Sequence, residues 1–509
     1  MLTERRYNFH FCLGFAQGIP HNSGMSPALI LACVGGYFLF LLLIAWWTSR
    51  NATNAAYFLG NKASPWYAVA FGLIGDSLSG VTFISVPGKV GADKFGYLQI
   101  VFGYVLGYVV IAEVLLPLYY RLNLVSIYSY LHQRFGPASQ KVGALFFLLS
   151  RLTGAAARLF LAVNVFQVFV FEKWDLPFWL TVSVTIGLIL AYTYRGGIRT
   201  LVWTDTFQST FLLLGVVLSI VAIARELGLG PGGLVAAVKS SELARIFFWD
   251  WKGTNYFWKQ FLSGVFIAIV MTGLDQNMMQ KNLSCRSLGE AQKNIYWFTA
   301  VMVLVNVFFV SLGALLYRYA AAKGVVVPEK TDALFPTLAL QHLGPFAAAV
   351  FVIGLTAATF SSADSVLTTL TTSFCIDVLG MERRADLSEA ARTSWRHRAH
   401  IGFAVALWLV ILGFEALNSN AIIDAIFTLA SYTYGPLLGL FAFGLFAKRA
   451  VRDGRAPLVC CAAPLLCFVL QQNSERWLGG YKMGFELLVL NGLLTFIGLW
   501  LIRKPAHAA

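Results

Sequence analysis

Apolar stretches of roughly 20 residues recur along the whole chain between short polar segments. That spacing predicts membrane-spanning α-helices rather than barrel strands, whose signal would be a two-residue alternation. About thirteen such stretches can be counted at that length, near residues 28–47, 66–86, 98–118, 145–170, 178–194, 206–224, 261–277, 298–317, 345–378, 401–417, 422–446, 458–469 and 485–502. Two of them depart from a plain apolar pattern. The second is interrupted by Gly72, Gly75, Asp76, Ser77, Ser79, Gly80, Thr82 and Ser85, and the ninth carries Thr356-Ala-Ala-Thr-Phe-Ser-Ser-Ala-Asp-Ser365. Polar groups at that density are costly in a bilayer unless the protein interior uses them. The expected fold class is therefore all-α and polytopic.

Composition and charge sharpen this reading. With 58% hydrophobic and 12% charged residues, the chain is not a soluble globular domain. Its net charge of +14 is spread over alternate short loops, among them the one holding Arg383, Arg384, Arg392, Arg396 and Arg398. That distribution is a topology signal and argues against a nucleic-acid partner. It sets the N-terminus outside and the C-terminus in the cytoplasm of a multi-pass protein of the cell membrane. Residues 1–24 are polar and irregular and read as a tail, disordered or not native, with Met25 as the alternative start. Residues 25–504 read as one membrane-embedded domain: an extra first helix at 26–48, a core at about 65–447, two C-terminal helices at about 456–502, then a tail at 505–509.

The stretch Arg195-Gly-Gly-Ile-Arg-Thr-Leu-Val-Trp-Thr-Asp-Thr-Phe-Gln208 joins the fifth and sixth runs. Gly196 and Gly197 free the backbone for a tight turn, and Arg195 and Arg199 hold it on the cytoplasmic side. Asp205 then falls at or inside the membrane boundary, where an acid calls for a cation, water or a partner. The alternative is that Thr204 and Asp205 simply cap the N-terminus of the next helix. Seven Cys residues show no metal-like spacing, no P-loop is present, and the seven His residues are expected in tails and loops rather than at catalytic spacing. These features weigh against an enzyme and against ATP-driven transport.

The Gly-Gly turn followed by Trp-Thr-Asp resembles the signature of sodium:solute symporters, which are solute carrier 5-like and include proline, sugar and sialic acid symporters. Ser79-Gly-Val-Thr-Phe-Ile-Ser-Val-Pro-Gly88, the pair Ser361-Ser362 and Asp275-Gln276 with Gln280 extend the resemblance over nearly the whole chain, although Lys281 stands where the family carries Arg. It implies a LeuT-like five-plus-five inverted-repeat core. It also implies symport of a small organic solute with Na+ by alternating access, in a chain functional as a monomer. Gly75, Leu78, Ala358, Ser361 and Ser362 then fall on the shared sodium site. Asp205, Asp364 and Ser365 fall on a second sodium site or the ion exit. The implied substrate residues are Asp76, Ser77, Thr82, Phe83, Arg151, Asp275, Gln276, Ser431 and Tyr432. An arginine such as Arg151 suits a carboxylate, with a structural pair to Glu113 as its alternative. The same fold driven by protons, and a solute-gated receptor or channel, remain the rival readings. The solute is open among amino acids, sugars or sugar acids, and carboxylates.

Overall fold

The computed structural model describes residues 27–48, 54–384, 386–417, 422–447, 449–481 and 483–504 of the chain. The tails at 1–24 and 505–509 and the side chains of Arg195 and Arg199 lie outside the described residues.

The described chain is built of helices joined by short irregular segments. Helix α1 (Pro27–Thr48) is followed by the short α2 (Asn54–Leu59), and then by α3 (Trp66–Ser77) and α4 (Gly80–Asp93). Next come α5 (Tyr97–Val110), α6 (Leu116–Arg121), α7 (Ser129–Arg134) and α8 (Pro137–Phe166). Helix α9 runs over Phe178–Glu226 and leads through α10 (Pro231–Lys239) to α11 (Phe257–Ala268), α12 (Gln276–Leu283) and α13 (Leu288–Lys323). The remainder is α14 (Leu334–Thr337), α15 (Gly344–Ser373), α16 (Glu389–Leu417), α17 (Ile422–Phe446), α18 (Ala456–Trp477) and α19 (Leu487–Leu501). Nine described helical stretches are long and apolar enough to cross a membrane, ten if the bent pair α11–α12 is one span, and Phe178–Tyr194 and Leu487–Leu501 are shorter apolar helices.

Polarity is inverted relative to a water-soluble protein. Large apolar side chains such as Leu39, Leu43, Trp46, Leu145, Leu149, Leu409 and Leu465 face outward, while Thr368, Thr369, Thr371, Thr372 and Ser373 are buried. In α15 every residue from 354 to 373 is buried. That helix is the axis of the bundle, packed along α9, α8, α16 and α3.

Three interruptions position the interior. Helix α3 ends where Leu78 leaves helical geometry (φ −97°, ψ 73°) and Ser79 is extended, and α4 restarts at Gly80. The Ile74 carbonyl still accepts from the Leu78 N–H at 2.8 Å, but the carbonyls after it and the first N–H groups of α4 are left without helical partners. Helix α11 loosens into a π-helical turn at Ile269–Gly273, and the chain bends by 61° into α12. The freed carbonyls there are taken up by tyrosines: Tyr119 donates to the Gly273 oxygen at 2.9 Å and Tyr128 to the Leu274 oxygen at 3.0 Å. The segment after Asp275, which from the sequence reads equally as a helix end at the cytoplasmic face, is instead a second buried helix, capped by the Asp275 carboxylate accepting from the Met278 N–H at 3.1 Å.

The third interruption is Gly197, which breaks α9 with φ 56° and ψ −151°. Helical geometry resumes directly after it, so Thr204 and Asp205 lie inside the second arm and do not cap it; Thr204 donates to the Thr200 and Leu201 carbonyls. A Cβ on Gly197 would stand 2.5 Å from the Tyr57 Cα. Both the left-handed φ and this contact exclude a side chain. Gly197→Ala is expected to destabilise the fold by at least ~1–3 kcal/mol, the range for one strained residue, read as a lower Tm of purified protein. An unchanged Tm would contradict this placement of the turn.

Candidate functional site

The break in the second span is pressed onto one turn of α15. A Cβ on Gly75 would lie 2.5 Å from the Ser361 Oγ and 2.7 Å from the Ser209 Oγ, and one on Gly80 would lie 2.5 Å from the Thr359 Oγ1. Only residues without side chains allow this approach of helix to helix. Ser209 is held in place, accepting from the Gly75 N–H at 2.8 Å and donating to the Phe71 carbonyl at 2.5 Å. Ser362 donates to the Thr359 carbonyl at 3.0 Å, while the buried Ser361 Oγ has no hydrogen-bond partner among the described residues. Gly75, with Leu78 at the break just after it, thus meets the α15 turn that carries Ala358, Ser361 and Ser362. The end of α3, with carbonyls freed by the break, packs on the unpartnered Ser361 hydroxyl, while the Ala358 carbonyl accepts from the Ser362 hydroxyl at 3.5 Å. Such hard oxygen donors suit a small cation such as sodium.

One helical turn away, about 5.4 Å along each axis, lies a second and charged layer. Lys281, which is fully buried, donates to the Asp76 Oδ2 at 2.5 Å, to the Ser365 Oγ at 2.8 Å and to the Asp205 Oδ2. The spacing follows from helix periodicity. Ser361 and Ser365 are four residues apart on α15, as are Asp205 and Ser209 on α9, so each helix contributes one residue to each layer. Ser365 donates onward to Asp205 at 3.2 Å. Asp364 accepts from the Tyr192 hydroxyl at 2.8 Å and from the Gln208 amide at 3.5 Å. One oxygen each of Asp76 and Asp205 remains buried without a partner among the described residues.

A cavity of about 80 Å³ opens beside the break, lined among others by Asp76, Ser77, Thr82, Tyr104, Arg151 and Arg158. One water needs only ~10–15 Å³ on the same kind of measure, so the space takes several waters or a small solute. Arg151 does not pair with Glu113, which instead accepts from the Tyr296 hydroxyl at 2.6 Å. Its Nε reaches the Asp275 Oδ2 at 2.5 Å, and the Tyr434 hydroxyl donates to the same carboxylate. Arg158, about two helical turns further along α8, makes no hydrogen bond or ion pair with any described residue. Its guanidinium is the unneutralised cation of the cavity wall.

Several of the candidate residues are therefore placed differently than the sequence alone implies. Asp76, Ser77, Thr82 and Arg151 line the cavity, whereas Phe83, Asp275, Gln276, Ser431 and Tyr432 are not part of its wall. Phe83 is an aromatic core residue packed edge-on to Phe309 and tilted against Phe335 and Phe351. Gln276 spends its amide on the chain before α7, accepting from the Ile127 N–H and donating to the Val125 carbonyl. Tyr432 points to α18 and donates to Gln471. His400, expected in a loop, is buried in α16 within reach of Thr193 and Thr371. Sequence reasoning missed Ser209, Thr359, Tyr192 and Arg158 as parts of the site.

The family model for the sodium:solute symporter family matches residues 57–456. The chain belongs to the sodium:solute symporter family. As a member it is a sodium-coupled secondary active symporter embedded in a membrane, with Na+ as its coupling ion. Among similar curated proteins are the sodium/sialic acid symporters NanT of Aliivibrio fischeri, 24% identical over 88% of both chains, and SiaT of Proteus mirabilis, 26% identical over 82% of this chain and 85% of that one. The human sodium-coupled monocarboxylate transporter 1 is 27% identical over 83% of this chain and 68% of its own. A solved Na+-coupled sialic acid symporter matches in fold with a TM-score of 0.79 at 21% identity, covering 93% of this chain and 98% of that one. Mhp1, a nucleobase-cation symporter, matches with a TM-score of 0.54 at 14% identity over 88% and 94%. The fold is thus that of the LeuT-like symporters.

The pairing of Arg151 with Asp275 carries its own test. Asp275→Asn leaves a buried guanidinium unpaired and is expected to cost about 3–5 kcal/mol of stability, seen as a large fall in Tm. The double variant Arg151→Met/Asp275→Asn should recover most of that loss. Equal damage from both would contradict the pairing.

Proposed function

We propose that this symporter carries a small organic anion, with a carboxylate held by Arg158 in the cavity beside the broken helix. The observation that carries this reading is charge. Of the two guanidinium groups on the cavity wall, Arg151 is neutralised by Asp275 and Arg158 has no counter-ion among the described residues. Arg158 is half-buried at the cavity wall. A partly desolvated cation without a partner is costly, and an anionic ligand removes that cost. A planar guanidinium also matches a carboxylate in two-point geometry. The reading agrees with relatives named for sialic acid and for monocarboxylates.

In this mechanism sodium is bound between the two helices that meet at the break. The carbonyls of Gly75, Leu78 and Ala358 and the hydroxyls of Ser361 and Ser362 supply its oxygens. Sodium then holds α3 against α15, and Ser77 and Thr82, on the same break, are fixed at the cavity wall for the solute. When sodium leaves, the break loosens and the solute site with it. The coupling is reciprocal, each ligand tightening the other. Alternate basic loops support an outside N-terminus and a cytoplasmic C-terminus in the cell membrane. A single domain over residues 25–504, acting as a monomer, completes the proposal.

Uptake into proteoliposomes under an inward sodium gradient tests it with a panel of monocarboxylates, sugar acids, amino acids and neutral sugars. Carboxylates should accumulate, and Arg158→Gln should lower their uptake by about 10- to 100-fold, the worth of a hydrogen bond to a charged group. A preference for neutral solutes, or carboxylate uptake unchanged in Arg158→Gln, would overturn the assignment.

A further inference from the structure

We propose that the Lys281 ammonium is a tethered cation standing in the second ion position of this transporter, so that the chain binds one sodium ion where its two oxygen layers could otherwise hold two. The inference deepens the sodium site proposed above and rests on it. The residues around the ammonium are those a second sodium would use. The Asp76 and Asp205 carboxylates and the Ser365 hydroxyl are hard oxygens drawn from three helices. Two of the three, Asp205 and Ser365, are the residues the sequence nominates for a second sodium. The three acceptors match the three N–H bonds of an ammonium, which leaves Lys281 no donor for anything else.

The neighbourhood is built and not incidental. Lys281 is reached only through the 61° bend that turns α12 into the bundle. The bend is fixed by the Asp275 cap, and Asn277 on the same helix donates to Asp76 at 3.3 Å and accepts from Thr369 at 2.9 Å. Asp364 also faces this layer, held by Tyr192 and Gln208. Unpartnered buried polar atoms remain around this layer. They are the second oxygens of Asp76 and Asp205, the Gln208 Oε1 and, one turn away, the Ser361 hydroxyl. The ammonium thus takes one oxygen of each carboxylate and the Ser365 hydroxyl, and leaves open the Ser361 hydroxyl of the adjacent layer. A bound sodium can exchange with water as the transporter cycles, whereas a lysine cannot leave, so this layer contributes structure without a transported charge.

Binding of radioactive sodium (22Na+) to the purified full-length chain, with sodium alone as the probe, tests this without knowledge of the solute. The wild type should bind about one sodium ion per chain, abolished in Ser361→Ala/Ser362→Ala. Lys281→Met, which keeps the stem and removes the charge, should bind about two, with a Hill slope that rises above one. Should Lys281→Met not yield folded protein, the wild-type count decides by itself. Two sodium ions bound to wild type would overturn the tethered cation while leaving the sodium layer intact. A folded Lys281→Met that still binds one with unchanged affinity would also overturn it. A single wild-type ion that survives Ser361→Ala/Ser362→Ala but is lost in Asp205→Asn would place the ion in the lysine's layer and refute both readings, whereas no sodium binding at all would refute the sodium site itself.

Discussion

The interior of this transporter depends on one buried ammonium. Removing an ion from water costs several kcal/mol even in a relaxed protein, and the cost is sharper still at membrane depth. Lys281 is accommodated because Asp76, Asp205 and Ser365 meet it from three different helices. The same contacts define where those helices can sit. Helix α3 cannot move from α15 or α9 without stranding a charge, so the ammonium is the point about which the broken span is organised. Removing the lysine alone would leave two carboxylates facing each other in a low-dielectric site, a worse outcome than losing a contact between apolar side chains.

That anchor sits one turn from the proposed meeting place of ion and solute. At a separation of ~5.4 Å and an effective dielectric of ~20, two unit charges still interact by about 3 kcal/mol. The ammonium would therefore disfavour a neighbouring sodium if the carboxylates did not offset it. The break converts this local electrostatics into function. Gly75 presses on Ser361, and Ser77 and Thr82 line the cavity a few residues on. An ion that fixes the carbonyls at the end of α3 also fixes the side chains of the cavity wall. Coupling follows from sharing one stretch of backbone, with no need for a longer path.

Much of this was legible in the sequence. The apolar runs marked the spans, and the small polar residues from Gly72 to Ser85 marked the broken one, because helix periodicity and the cost of polar groups in lipid are local properties. Gly196-Gly197 marked the turn for the same reason. The sequence was ambiguous where the outcome depends on a tertiary bend. Residues 275–281 have the composition of a helix end at the membrane surface, and only the 61° turn carries Lys281 inward; the Asp275 cap was the available signal. The two arginines of α8 could not be told apart from the sequence either. Which one is free depends on Asp275 approaching Arg151 from a segment more than a hundred residues away. Phe83 and Tyr432 followed the family pattern for substrate residues, but neighbouring aromatics and α18 take their side chains.

The central claim is that sodium bridges the broken α3–α4 span to α15 through Ser361. Thermal unfolding of the purified chain in sodium against potassium, at equal ionic strength, tests it most directly. The account predicts that sodium raises the Tm of wild type in proportion to its occupancy, and that Ser361→Ala, folded as well as wild type in potassium, loses most of that rise. Equal Tm values in sodium and potassium for wild type, or a full sodium response in Ser361→Ala, would contradict it.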